Sequence, residues 1–190
     1  MASASLCRNR RIGSLIVLGA LALGVSACSD AAQEDPKPSE PSSSSPSPAD
    51  PLAADKKEVL ATVAGMRAAQ NKAYAKASEK GTDLETYTSD TALGRMRADL
   101  ANYRDAGLIF RGEITASQSK VTAIDVEKSP KTATVTECVD TTKWIPVDKE
   151  TGKEDPLEDQ PRRYRVTESL RTIGDRWVVV SYELEKSLPC

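Results

Sequence analysis

The chain has no histidine. Histidine triads, histidine metal ligands and histidine general bases are therefore excluded. Chemistry would have to rest on thiols, carboxylates, tyrosine or lysine. Of the four cysteines, Cys28 follows Ser26-Ala27 at the end of an apolar run, and Cys138 and Cys190 stand far downstream. A second constellation surrounds Gly174-Asp175, a two-residue turn signal between alternating runs. If Ile173 pairs with Arg176, then Leu170 faces Val179, Thr172 faces Trp177 and Glu168 faces Ser181. One face then carries Tyr164, Val166, Glu168, Leu170, Trp177, Val179 and Ser181. Tyr164, Glu168, Ser181 and Trp177 are the candidate pocket, with Glu137 coming close from the preceding strand. A carboxyl held among apolar residues and hydroxyl groups is suited to proton transfer or to holding a small ligand. The alternative is a twisted sheet that carries these residues to a solvated rim.

The first 27 residues account for Cys28. Arg8, Arg10 and Arg11 precede a run from Ile12 to Val25 that is apolar or small throughout. A positive start and a short apolar core read as an export signal. The run is shorter than the roughly 20 residues a spanning helix needs. With Val25-Ser26-Ala27-Cys28 at its end, the segment resembles the lipobox of bacterial lipoproteins. That resemblance implies diacylglyceryl transfer to the Cys28 sulfur, cleavage before it, and anchoring on the outer face of the cytoplasmic membrane. Arg10-Arg11 leaves both the general and the twin-arginine export route open. Cys7 is lost with the leader. Outside the membrane, the remaining Cys138 and Cys190 are expected to form a disulfide. Two free thiols or half of a metal site are the alternatives, and no histidine or third cysteine supports the metal. No cofactor is expected.

Residues 29–52 hold six prolines and seven serines. Such a stretch cannot bury enough apolar surface to offset its ordering entropy, and its prolines stiffen it. It reads as a tether of roughly 70 Å when extended. The expected organisation is thus 1–27 signal, 28–52 lipidated cysteine and tether, and 53–190 folded domain. Loss of the three leader arginines takes the net charge from −2 to −5, which gives no footprint for nucleic acid.

Within the domain, Val59, Leu60, Val63, Met66, Ala69, Ala73, Tyr74 and Ala77 recur at helical spacing and predict a helix over 55–78. Leu93, Met96, Leu100 and Tyr103 predict a second helical region over 84–105, capped within it at Asp90 or Thr91 and stopped by Gly107. Beyond Leu108 the period becomes two. Strands are predicted at 109–117, 120–128, 132–141, 162–173 and 176–185. Residues 142–161 interrupt the alternation, with Lys149 to Lys153 as the tip of a hairpin or loop. Trp144 there is either an anchor for a partner or a ring folded back on the sheet, the second being the more economical.

Several of these residues carry a family resemblance. They are Tyr87 with Ala92-Leu93, Gly107 followed by Gly112, Val135-Thr136-Glu137-Cys138-Val139-Asp140, Gly174-Asp175-Arg176-Trp177-Val178-Val179 and the terminal Cys190. They resemble a group of actinobacterial secreted proteins and lipoproteins with a nuclear-transport-factor-two-like cone. The resemblance implies an α+β fold, with N-terminal helices packed on a curved antiparallel sheet. It also agrees with a Cys138–Cys190 disulfide. Most of that group has no assigned activity. Cones of this type often dimerise through the open sheet face, where Val178, Val180, Tyr182 and Leu184 would alternate. The leading expectation is a non-enzymatic binding module in the envelope, partnered by the membrane through Cys28 and by a second copy or another envelope protein. A small-ligand binder or proton-transfer enzyme using the interior is the alternative.

Overall fold

The computed structural model describes residues 50–156, 160–188 and 190. The export segment, Cys28 and the tether up to residue 49 lie outside the described residues.

Helix α1 spans Ala53–Tyr74 and buries Val59, Val63, Met66, Ala69, Ala73 and Tyr74. Alanine is frequent and the apolar stripe is continuous, so propensity and packing agree. The helix stops before the expected residue 78 because Ala77 takes a left-handed conformation (φ 48°). The second helical region is two helices, α2 Leu84–Tyr87 and α3 Asp90–Asp105. Thr88 and Ser89 divide them. Thr88 is extended, bridges Val179 in parallel, and donates its hydroxyl to the Leu84 carbonyl at 2.6 Å. The Ser89 N–H donates to the Val179 carbonyl at 3.0 Å. Ser89 takes the N-cap position, one residue before the expected cap. Gly107 ends this region with a positive φ of 71°.

Among the described residues six strands follow: β1 Leu108–Arg111, β2 Thr115–Asp125, β3 Thr132–Asp140, β4 Ile145–Asp148, β5 Arg163–Ile173 and β6 Arg176–Glu185. Strands β2-β3-β5-β6 form one antiparallel sheet, and β1 and β4 pair as a small second one. The fold is α+β, with helices packed against antiparallel sheets. Two expectations are corrected. The predicted strands 109–117 and 120–128 divide instead at 112–114, and residues 118–119 form a bulge inside β2. Gly112 makes that division. It has φ 79°, and a Cβ there would lie 1.8 Å from the Lys143 carbonyl oxygen, so only glycine allows the approach. Strand β4 falls in the interval 142–161, where only the tip of a hairpin or loop at 149–153 is predicted; Pro146 pairs with Phe110 at the edge. Beyond β4 the chain turns back at 149–152, where Asp148 accepts the N–H groups of Glu150 and Thr151.

The core lies between the helices and one face of the large sheet. Ala133, Val135, Val139, Val166, Leu170, Trp177 and Val179 meet Val63, Met66, Met96 and Leu100 there. Cys138 alternates to the other face and is bonded to Cys190, 52 residues on, with α-carbons 5.8 Å apart. This fastens the end of the chain to β3.

Candidate functional site

Hairpin β5–β6 begins in the expected register, with Ile173 opposite Arg176, Thr172 opposite Trp177 and Leu170 opposite Val179. It then changes. Val180 is an extra residue between the pairs Leu170–Val179 and Ser169–Ser181, so Glu168 lies opposite Tyr182. Everything beyond the bulge switches face. Ser181 turns away from the expected pocket, and Tyr182 and Leu184 turn into it. The alternating apolar outer face of Val178, Val180, Tyr182 and Leu184 therefore does not exist. Val178 is buried, Val180 is half-buried, and the other two line the interior. Trp177 is buried in the core and does not line the cavity.

Glu168 keeps its inward place. It lies opposite Val135 on β3, while Glu137 lies opposite Val166, so the two carboxyls are diagonal neighbours on one face. Glu168 is 0% exposed and Glu137 4%. Arg67 of α1 reaches between them, its Nη2 2.5 Å from Glu137 Oε1 and 3.1 Å from Glu168 Oε1. Its Nη1 donates to Gln70 Oε1 at 2.6 Å. The β2 bulge opposite Glu137 contains Gln118 at φ 56° and directs Ser119 Oγ to Glu137 Oε2 at 2.9 Å. One cation thus serves two carboxyls away from water. Burial, and then the charge of Glu137, push Glu168 up to about 8 against the pull of Arg67. Glu168 therefore keeps its proton to higher pH than a free carboxyl does. Glu168 Oε2, Arg67 Nε and Trp144 Nε1 are buried without a hydrogen-bond partner.

These groups border a cavity of about 230 Å³ between α1, α3 and the sheet. Arg67, Gln70 and Glu168 give it one polar wall, and Met66, Met96, Ile114, Val139 and Val166 an apolar one. The aromatic residues Tyr74, Tyr103, Trp144, Tyr164 and Tyr182 also line it, together with Asp99, Gln160, Leu184 and Lys186. Trp144 has folded back, and its ring stacks on Phe110 at 3.8 Å and 17°. The Tyr74 hydroxyl donates to Asp99 Oδ2 at 3.1 Å. Burial raises the Tyr103, Tyr164 and Tyr182 hydroxyls above their ordinary value, so all three stay neutral donors. Lys186 Nζ lies 6.0 Å from the centre of the Tyr164 ring and donates to Gln160 Oε1 at 2.7 Å.

Of the four expected pocket residues, Tyr164 and Glu168 line the cavity, and Ser181 and Trp177 do not. Arg67, Gln70, Asp99 and Ser119 were not anticipated. Arg67 did leave a signal: it falls four residues after Val63, three before Gln70 and seven before Tyr74, on the buried stripe of α1. Cys28 lies outside the described residues. Among the described residues, no helix is long and apolar enough to cross a membrane.

No protein-family model matches the chain, and no curated protein matches it. Among solved structures, the intermembrane space region of the chloroplast protein ARC6 is similar over 70% of this chain and 97% of its own, at 14% identity and a TM-score of 0.47. A protein of unknown function with a cystatin-like fold, from Nostoc punctiforme, is similar over 72% of this chain and 96% of its own, at 16% identity and a TM-score of 0.38. At these values neither likeness bears on function.

Proposed function

We propose that this chain is an exported lipoprotein, anchored through Cys28, whose folded domain is a nuclear-transport-factor-two-like cone that binds a small ligand in its interior. The observation that carries the ligand is the cavity itself. A site of about 230 Å³ is bordered by aromatic rings and by Glu168 Oε2, a buried polar atom without a partner. Aromatic and apolar walls with a few placed polar groups are the usual make-up of a small-molecule site. Glu168, raised to about 8, is suited to proton transfer as well as to holding a polar group, so the binding reading rests on the cavity and its lining. A protein-partner role for an apolar outer sheet face loses its support with the bulge at Val180.

A screen of small neutral and charged fragments against the mature chain from residue 28, made without the leader and with Cys28→Ser to leave it unlipidated, tests this. The chain has two tryptophans, so its indole N–H signals are readily assigned. Bound fragments are expected to shift Trp144 and leave Trp177 nearly unmoved. Val139→Trp, which fills the cavity, is expected to abolish those shifts. Shifts confined to other surfaces, or unchanged by Val139→Trp, would reject the cavity as the site.

A further inference from the structure

The class of ligand follows from what the cavity leaves unsatisfied, given that the cavity is a binding site as proposed above. The lining charges largely cancel. Arg67 is held by Glu137 and Glu168, and the lining also sets Lys186 against Asp99, which accepts from Tyr74. A charged ligand would enter a largely enclosed site with little net field to receive it, and would lose its hydration. Each unpartnered buried atom asks for a small polar group. Trp144 Nε1 and Arg67 Nε can only donate. Glu168 Oε2 accepts, or donates when it carries the proton. A hydroxyl is the smallest group that answers both kinds, since it accepts and donates at one oxygen. Aromatic rings make up much of the rest of the lining, with Phe110 covering one face of the Trp144 ring, and Gln70, Asp99, Gln160 and Lys186 add further polar groups. The volume lies below the roughly 300–1,000 Å³ of drug-sized sites, which limits the body to one or two rings or a short branched chain.

We infer that the cavity takes a neutral molecule bearing a hydroxyl, a phenol or an alcohol, whose oxygen meets the Glu168 carboxyl while its body packs among Trp144, Tyr74 and Tyr164.

Four probes that share a tert-butylphenyl body test this at pH 6.5 by titration of the mature chain from residue 28, made without the leader and carrying Cys28→Ser, followed at the Trp144 indole N–H signal. They are 4-tert-butylphenol, 4-tert-butyltoluene, 4-tert-butylbenzoate and 4-tert-butylbenzylammonium. The phenol is expected to bind at least about tenfold more tightly than the hydrocarbon, the scale of one well-made hydrogen bond. The two ions are expected to bind more weakly than the phenol by a similar factor or more. Glu168→Gln, which still donates and accepts, keeps the phenol's advantage, and Glu168→Leu removes it. The wild-type series decides the matter even if the leucine variant fails to fold. Equal binding of phenol and hydrocarbon, or tightest binding of either ion, overturns the hydroxyl assignment and leaves the ligand-binding reading standing. Failure of all four probes at millimolar concentration overturns both.

Discussion

Glu168 sets the pH behaviour of the domain. Its folded value of about 8 stands above its ordinary 4.5. Between these values the folded chain holds a proton that the unfolded chain has released. Stability is therefore expected to fall as pH rises through this window. Thermal unfolding of wild type should give a lower Tm at pH 8 than at pH 5.5, and Glu168→Gln should flatten that slope. An equally steep slope in the variant would refute the assignment. Arg67 is the complementary test. Removing it leaves Glu137 buried beside a second carboxyl, and breaking such a buried pair costs about 3–5 kcal/mol. Arg67→Met is expected to lose that much in urea unfolding, and adding Glu137→Gln should recover part of it, because the stranded charge is then gone. Glu168 and Tyr164 were legible in the sequence because strict alternation places them beside Val166 and Leu170. Arg67 was passed over because a cation on a helix usually marks the solvated side. Only its company with Val63, Gln70 and Tyr74 pointed inward.

Local signals served some elements well. Gly174-Asp175 named the last hairpin, and the i, i+3, i+4 stripe named α1, because turn chemistry and periodicity are written in adjacent residues. The bulge at Val180 left no such mark. Val178-Val179-Val180 is one branched residue repeated, and nothing local says which of them is extra. Strand β4 was hidden because it is four residues long and its pairing with β1 is a long-range contact. Deleting Val180 tests the bulge directly. The deletion should leave Glu168 opposite Tyr182, since it removes the unpaired residue and not a rung, and should cost about 1–2 kcal/mol for one half-buried valine. Loss of the Glu168–Tyr182 cross-strand contacts in an NMR spectrum would show that the register is set elsewhere. The Cys138–Cys190 bond closes a loop of 52 residues, which chain entropy values at about 4 kcal/mol. The double variant Cys138→Ser/Cys190→Ser is expected to unfold at correspondingly lower urea, and a change below about 1 kcal/mol would mean that β3 and the chain end are held by packing alone.

For the whole molecule, the proposed anchor and the cavity make separate demands. The domain has its own core, its own disulfide and an interior site, and none of these draws on Cys28. The proline- and serine-rich residues 29–52 suit a spacer between membrane and domain. Two acyl chains on Cys28, each buried methylene contributing about 0.8 kcal/mol, give anchoring that salt does not reverse. A chain held only by charge would come off in salt, and with a net charge of −5 after leader removal it has little attraction for anionic lipid. Cys28→Ala is therefore expected to abolish incorporation of a palmitate analogue and to block release of the leader, since the proposed peptidase acts on the lipidated cysteine. The wild-type chain should resist carbonate and high-salt extraction and dissolve in detergent. The Tm and ligand response of the folded domain should be the same for the Cys28→Ser chain and for the detergent-extracted lipoprotein. If Cys28→Ala is processed as wild type and still labelled, the lipid lies on another residue. If the variant is cleaved after Ala27 and released unlabelled, the leader is an ordinary export signal and the protein works free of the membrane.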